Sequence, residues 1–378
     1  MEKLIPKLRF PEFKGEWEKK KIEDFAPLQR GFDLPVDNIV QGEYPVVFSN
    51  GILKFHNEFK SKGPGVVTGR SGTIGKVTYV EENFWPHNTS LWVTDFKNNY
   101  PKFVYYFYYS YNLERFGTGS GVPTLNRNDV HIQLEKFPPF PEQQKIAIFL
   151  TSVDEKLQAL KKKKILLEQY KKGVMQKIFS QELRFKDENG NDFPKWEEKT
   201  LGEVLSLPEK IKPLEIDKNK LLTVKLHLKG VLKNESTESL SIGATSYYLR
   251  KKGQFIYGKQ NLFNGAFGII PEQFDGFLSS GDVPSLDINN TKINSDFLFY
   301  FMGRETFYEK LEDVASGSGS KRIHEDTLFK VEISLPSISE QTYITNFVSA
   351  IDVKINHCGE QIAKMEVWKK GLLQGMFC

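Results

Sequence analysis

The chain has 378 residues, length for two or three domains of ~100–200 residues each, and its 39% hydrophobic and 26% charged side chains are proportions of ordinary globular protein. No stretch approaches the ~18–20 consecutive apolar residues of a membrane span, and the amino terminus lacks the apolar core of a signal peptide, so the expected location is cytoplasmic. Two cysteines, Cys358 and Cys378, supply neither a disulfide framework nor a cysteine-rich zinc site, and a net charge of +4 does not by itself argue for a nucleic-acid partner.

In chain order, Leu8-Arg9-Phe10 and Trp17-Glu18-Lys19-Lys20 form an opening segment. The runs Gly65-Val66-Val67-Thr68 and Lys76-Val77-Thr78-Tyr79-Val80, bounded by Gly and polar turns, predict strands. Phe103-Val104-Tyr105-Tyr106-Phe107 predicts one short buried helix, with Tyr105, Tyr106 and Tyr108 read as core. A Gly119-Ser120-Gly121 loop follows, and Pro138-Pro139-Phe140-Pro141-Glu142-Gln143-Gln144 leads into a long helix over 142–180. That helix carries nine basic against four acidic side chains, and its run Lys161-Lys162-Lys163-Lys164 is read as a solvated face.

The second half retraces the first. Leu183-Arg184-Phe185 and Trp196-Glu197-Glu198-Lys199 reopen the pattern, Gln254-Phe255-Ile256-Tyr257 predicts a strand, and Phe297-Leu298-Phe299-Tyr300-Phe301 a buried helix. Gly317-Ser318-Gly319 and Leu335-Pro336-Ser337-Ile338-Ser339-Glu340-Gln341 precede a second long helix over 340–378. Residues 142–179 align with 340–377 without a gap at an offset of 198, with twelve identities in 38 positions. Ile146, Leu150, Val153, Leu157, Leu160, Lys164, Leu167, Lys171, Val174 and Ile178 alternate steps of four and three, and the second copy repeats them from Ile344 to Met376 through Cys358. Each copy is therefore a heptad seam, and a helix of roughly 57 Å is too long to be buried within one ordinary domain, so the two seams are expected to pack on each other. Chain direction favours antiparallel packing. Between the shared anchors the halves diverge, as across 28–64 against 207–252.

Catalytic constellations are not evident. Gly69-Arg70-Ser71-Gly72-Thr73-Ile74-Gly75-Lys76-Val77 has one residue too many between its outer glycines for a phosphate loop, and Val77 stands where a Mg-binding hydroxyl belongs. Gly117-Thr118-Gly119-Ser120-Gly121 lacks the third spaced glycine of a dinucleotide fingerprint. The six histidines have no zinc-ligand spacing. Glu197-Glu198-Lys199 resembles a nuclease Glu-x-Lys, but its counterpart Glu18-Lys19-Lys20 marks it as a repeated domain opening.

The order of these anchors, repeated twice at nearly constant spacing, resembles the specificity subunit of type I restriction-modification systems. The likeness spans almost the whole chain. It implies an α+β fold: two mixed α/β globular target recognition domains at 1–141 and 181–339, separated by two long antiparallel coiled-coil helices at 142–180 and 340–378, in an internal pseudo-twofold repeat. It further implies that each globular domain reads one half of a bipartite, asymmetric double-stranded DNA site and that the chain itself is not an enzyme and binds no cofactor. Two modification subunits would bind S-adenosylmethionine and methylate adenine, and two restriction subunits would use ATP and Mg. No membrane partner is implied.

Polar loop residues are the candidates for base contact, because Arg and Lys pair guanine, Asn and Gln pair adenine, and small hydroxyls permit close approach. In the first domain these are Arg70, Ser71, Thr73, Lys76, Asn88, Thr89 and Ser90. In the second they are Lys259, Gln260, Asn261, Ser279, Ser280, Lys321 and Arg322. The alternative reading is a coiled-coil scaffold that spaces two protein-interaction domains and never touches DNA; a duplicated enzyme with an unfamiliar site is a third.

Overall fold

A computed structural model describes residues 5–119, 121–235, 245–317 and 320–377. The chain forms two compact units, one of residues Met1–Ile165 with His357–Cys378, the other of Leu166–Asn356. Two helices, Phe140–Phe179 and Ile338–Met376, begin two residues before the expected 142 and 340, and each passes from one unit into the other. Each unit thus holds the first half of one long helix and the second half of the other.

The first unit is built on a four-stranded antiparallel sheet ordered Leu28–Arg30, Ser90–Val93, Gly65–Gly69, Val77–Val80. The strand Gly65–Gly69 is buried at every residue, which its Val66-Val67 centre permits, and Val67 faces Trp92 across the ladder. A second sheet of Gly51–His56, Tyr44–Phe48 and Trp85–Pro86 lies beside it in sequence. The opening strand Glu18–Lys21 pairs with Leu134–Phe137, so the segment before the long helix is tied to the domain's beginning. Pro101 starts the helix Pro101–Ser110, where its missing N–H costs nothing, and Phe103, Val104, Tyr106, Phe107 and Tyr108 face the core.

The second unit repeats this frame. Its four-stranded sheet is ordered Leu205–Ser206, Ser285–Ile288, Phe255–Tyr257, Phe267–Ile269, and Glu197–Thr200 pairs with Glu332–Leu335. The helix Ser295–Met302 is capped by the Asn294 side chain, which accepts from the backbone N–H groups of Asp296 and Phe297. The additions differ: two antiparallel pairs, the hairpin Leu222–Val224 with Val231–Lys233 and the non-local pair Tyr247–Leu249 with Leu278–Ser280, take the place of the first unit's three-stranded sheet.

The seam positions are all buried or half-buried, and Cys358 is core, 2% exposed. The helices pack antiparallel within each unit, as the pairs show. In the first, Lys161 meets Glu366 and Lys369 meets Asp154 at 2.6 Å each; in the second, Lys171 meets Asp352 at 2.6 Å. The lysines at seam positions 171 and 369 are therefore satisfied by acids of the opposite helix. A tyrosine completes each group: Tyr106 donates to Asp154 at 2.9 Å and Tyr300 to Asp352 at 2.8 Å. Burial, reinforced by the neighbouring carboxylate, holds both phenols well above their ordinary range.

The openings are duplicated as well. Glu142, fully buried, accepts from Arg9 Nε and Nη2 at 2.7 and 2.8 Å and from Trp17 Nε1 at 3.2 Å. Glu340 takes the same three bonds from Arg184 and Trp196. Leu8 N–H donates to Gly375 O in the first unit as Leu183 N–H donates to Lys177 O in the second. Positions 177 and 375 are matched by the 198-residue offset, so the second long helix receives the first domain's opening segment as the first helix receives the second's.

Candidate nucleic-acid interface

In the first unit the sequence candidates converge on one rim. The chain leaves Gly69 and folds back so tightly that a Cβ there would lie 1.7 Å from Thr73 O, and Gly72 and Gly75 adopt positive φ. Backbone bonds lock this loop to two neighbours: Arg70 and Ser71 N–H donate to Thr89 O, Gly72 N–H to Pro123 O, and Leu125 N–H to Arg70 O. Arg70 and Ser71 are half-buried, and Thr73 and Lys76 exposed, with the Lys76 ammonium donating to Asn50 O. Asn88 donates to Asp33, which also receives Arg30 at 2.7 Å. Thr89 Oγ1 lies 2.9 Å from His87 Nδ1 and accepts from Ser49 N–H.

Ser90 does not belong to this rim. It is 0% exposed, and its hydroxyl lies within bonding reach of Val47 O and His87 O, because it starts a central strand. The aromatic side chains are likewise interior: Tyr106 and Tyr108 are buried, and Tyr105 packs half-buried against the same core.

The second unit places Lys259, Gln260 and Asn261 in the corresponding bend. Lys259 N–H donates to Asp282 O, and Ile323 N–H donates to Lys259 O. These bonds match Arg70 N–H to Thr89 O and Leu125 N–H to Arg70 O, so Arg70 corresponds to Lys259, Thr89 to Asp282, and Thr124 to Arg322. Gln260 and Asn261 are exposed, while Lys259 is ion-paired to Glu325 at 2.9 Å with only 13% of its side chain accessible. Lys321 pairs with Glu312, and Arg322 with Asp282.

Ser279 is a second correction. It is 1% exposed and bonded to Arg250 Nε at 2.7 Å, and Ser280 is half-buried with its carbonyl accepting from Arg250 Nη2. Arg250, 4% exposed, spends its donors on Ser279, Ser280, Val283 and Ser285, and burial pushes its guanidinium down to about 10. It is the post around which the 279–285 turn is wrapped.

Sequence reasoning missed Arg30, Asp33 and Asp282. Asp282 lies in Gly281-Asp282-Val283-Pro284, a turn signal that could have flagged it. Arg30 and Asp33 carried no such mark. The Gly-Ser-Gly loops fall partly outside the described residues, at Ser120 and at Ser318-Gly319. Among the described residues there is no cluster of His, Cys, Asp and Glu placed to hold a metal, and no helix long and apolar enough to cross a membrane.

The sequence profile described as "Type I restriction modification DNA specificity domain" matches residues 14–169 and again 194–366. The chain belongs to the type I restriction-modification DNA specificity family. Its double match repeats the duplication seen in the sheets and openings. Among curated relatives, the chain is 23% identical to the type I restriction enzyme MjaVIII specificity subunit of Methanocaldococcus jannaschii, over 97% of this chain and 92% of that one. It is also 23% identical to the MjaIX specificity subunit of the same organism, over 78% of each. A solved S subunit from M. genitalium shares the fold with a TM-score of 0.64 over 99% of both chains at 17% identity. A chain from a structure concerned with complex assembly and conformational transition of the type I R-M system follows at 0.55, 13% identity, over 94% of this chain and 96% of that one.

Proposed function

We propose that the chain is the non-catalytic, sequence-reading subunit of a type I restriction-modification complex, each unit reading one half of a bipartite, asymmetric DNA site. The observation that carries this is the matched rim. Two sheets of identical strand order hold corresponding loop positions, yet these carry Arg70, Ser71, Thr89 and Thr124 in one unit and Lys259, Gln260, Asp282 and Arg322 in the other. Equal frames with unequal donors and acceptors are what two different half-sites demand.

The shared features have the opposite role. The duplicated Arg-Glu-Trp openings and Asp-Lys-Tyr groups give each unit the same framework, which suits recruitment of two copies of one modification subunit. Those subunits would supply S-adenosylmethionine and methylate adenine, and two restriction subunits would supply the ATP- and Mg-dependent steps. A net charge of +4 neutralises few phosphates, so partners closing on the duplex would contribute much of the affinity.

Replacing residues 20–130 with the corresponding segment of a relative tests this reading. Methylation mapped by sequencing should change in one half of the site and persist in the other. A change in both halves, or a site without two parts, would refute it.

A further inference from the structure

The rim of the second unit contains an arginine whose guanidinium is held on two sides. Arg322 Nη1 lies 3.2 Å from Asp282 Oδ1. The Gln260 amide, turned so that its oxygen faces the guanidinium, accepts from Nη2 at 2.7 Å and from Nε at 3.2 Å, and the same oxygen receives Ser320 Oγ. Asp282 is itself fixed, since its carbonyl accepts Lys259 N–H and its turn is wrapped around the buried Arg250. Backbone bonds in both directions between Ser316 and Arg322 fix the arginine's own main chain.

A guanidinium has five N–H groups in one plane. The Nε/Nη2 edge is committed to Gln260 and Nη1 is held beside Asp282 by charge, which leaves one N–H on each Nη, the end-on pair, without a hydrogen bond among the described residues. The side chain as a whole is 38% exposed. Two parallel donors on a fixed plane match O6 and N7 of guanine in the major groove, and no other base offers two acceptors there in that spacing. We infer that Arg322, oriented by Gln260 and Asp282, reads a guanine in the half-site of the second unit. The corresponding position in the first unit is Thr124, whose single hydroxyl cannot donate two bonds, so the first half-site is read differently at that point.

The inference rests on the DNA-reading function proposed above, and the test separates the two. The complex of the whole chain with its modification subunit is used to select bound duplexes from a randomised library, alongside complexes carrying Arg322→Lys and Asp282→Asn. The unaltered complex should select a two-part site with a guanine in the second half. Arg322→Lys should cut the preference for that guanine roughly 5- to 150-fold while the first half-site stays as before. Asp282→Asn, which loosens the plane and leaves the arginine in place, should lower preference at the same base by a smaller factor. If Arg322→Lys abolishes binding, the Asp282→Asn profile decides alone. A uniform loss for all sequences, with the salt slope reduced by about one, would show a phosphate contact and overturn the inference. So would an unchanged profile in both variants, or a second half-site without guanine. Selection of no two-part site by the unaltered complex would bring down the functional reading first.

Discussion

Removing Arg9 should unsettle the first unit more than its exposure near the surface suggests. Arg9→Met leaves the Glu142 carboxylate, 0% exposed, with Trp17 Nε1 at 3.2 Å as its remaining partner among the three bonds described. Breaking a buried ion pair from one side costs about 3–5 kcal/mol, because the charge left behind has lost water as well as its partner. For a unit the size of Met1–Ile165 with His357–Cys378, each kcal/mol moves the midpoint by roughly 2–4 °C, so a fall of roughly 6–20 °C is expected. Calorimetry gives the midpoint, and hydrogen exchange read by peptide assigns the loss to the first unit. Adding Glu142→Gln removes the stranded charge and keeps an acceptor for Trp17, so the double variant should recover most of the stability. Arg184→Met should cost less, since Arg184 is 26% exposed against 13% for Arg9. A change within about 0.5 kcal/mol for Arg9→Met, or a double variant no better than the single, would refute the reasoning.

Two further outcomes follow from the structure. If the long helices set the gap between the proposed half-sites, deleting residues 159–165 together with 357–363, one heptad from each helix, shortens the helical connection by about 10 Å, or about 3 base pairs with a rotation of roughly 100°; a library of gap lengths should then show binding lost at the native gap and regained, if anywhere, at another, and an unchanged preference would refute that spacing role. Selectivity at the first half-site should stay flat from about pH 8 to about pH 7. The Asn88 amide, aided by the Arg30 charge, holds the Asp33 carboxyl below its ordinary value, so its bonds persist above that value and weaken only as pH falls through the still lower folded one. Burial lowers the His87 imidazole below its ordinary value, so a transition in first-half selectivity with a midpoint at or above about pH 6.5 would contradict this.

The two long helices were legible because a heptad is a local pattern and the 198-residue offset prints it twice. The strands at Gly65–Gly69 and Phe255–Tyr257 and the helices at Pro101–Ser110 and Ser295–Met302 were legible for the same reason: a short apolar run between turn residues has few other ways to bury itself. Lys171 and Lys369 mark where local pattern ends. Each looks like a flaw in an apolar seam until the opposite helix brings Asp352 or Asp154 to it, a meeting across nearly two hundred residues of chain or more.

The candidate rim divides along the same line. A polar, Gly-rich loop announced itself at 70–76 and a polar one at 259–261, and tertiary structure placed each in the corresponding bend of its own unit's sheet. Ser90 and Ser279 were indistinguishable in sequence from the exposed polar residues around them, because whether a short hydroxyl meets water or a carbonyl depends on which distant strand covers it. Val47 and His87 close over one, Arg250 over the other. Thr124 and Arg322 stand at the same 198-residue offset as the helices, whereas the correspondence of Arg70 with Lys259 could be fixed only by backbone hydrogen bonds. The interiors had diverged too far to align, and register between strands is set by pairing partners that lie far apart in the chain.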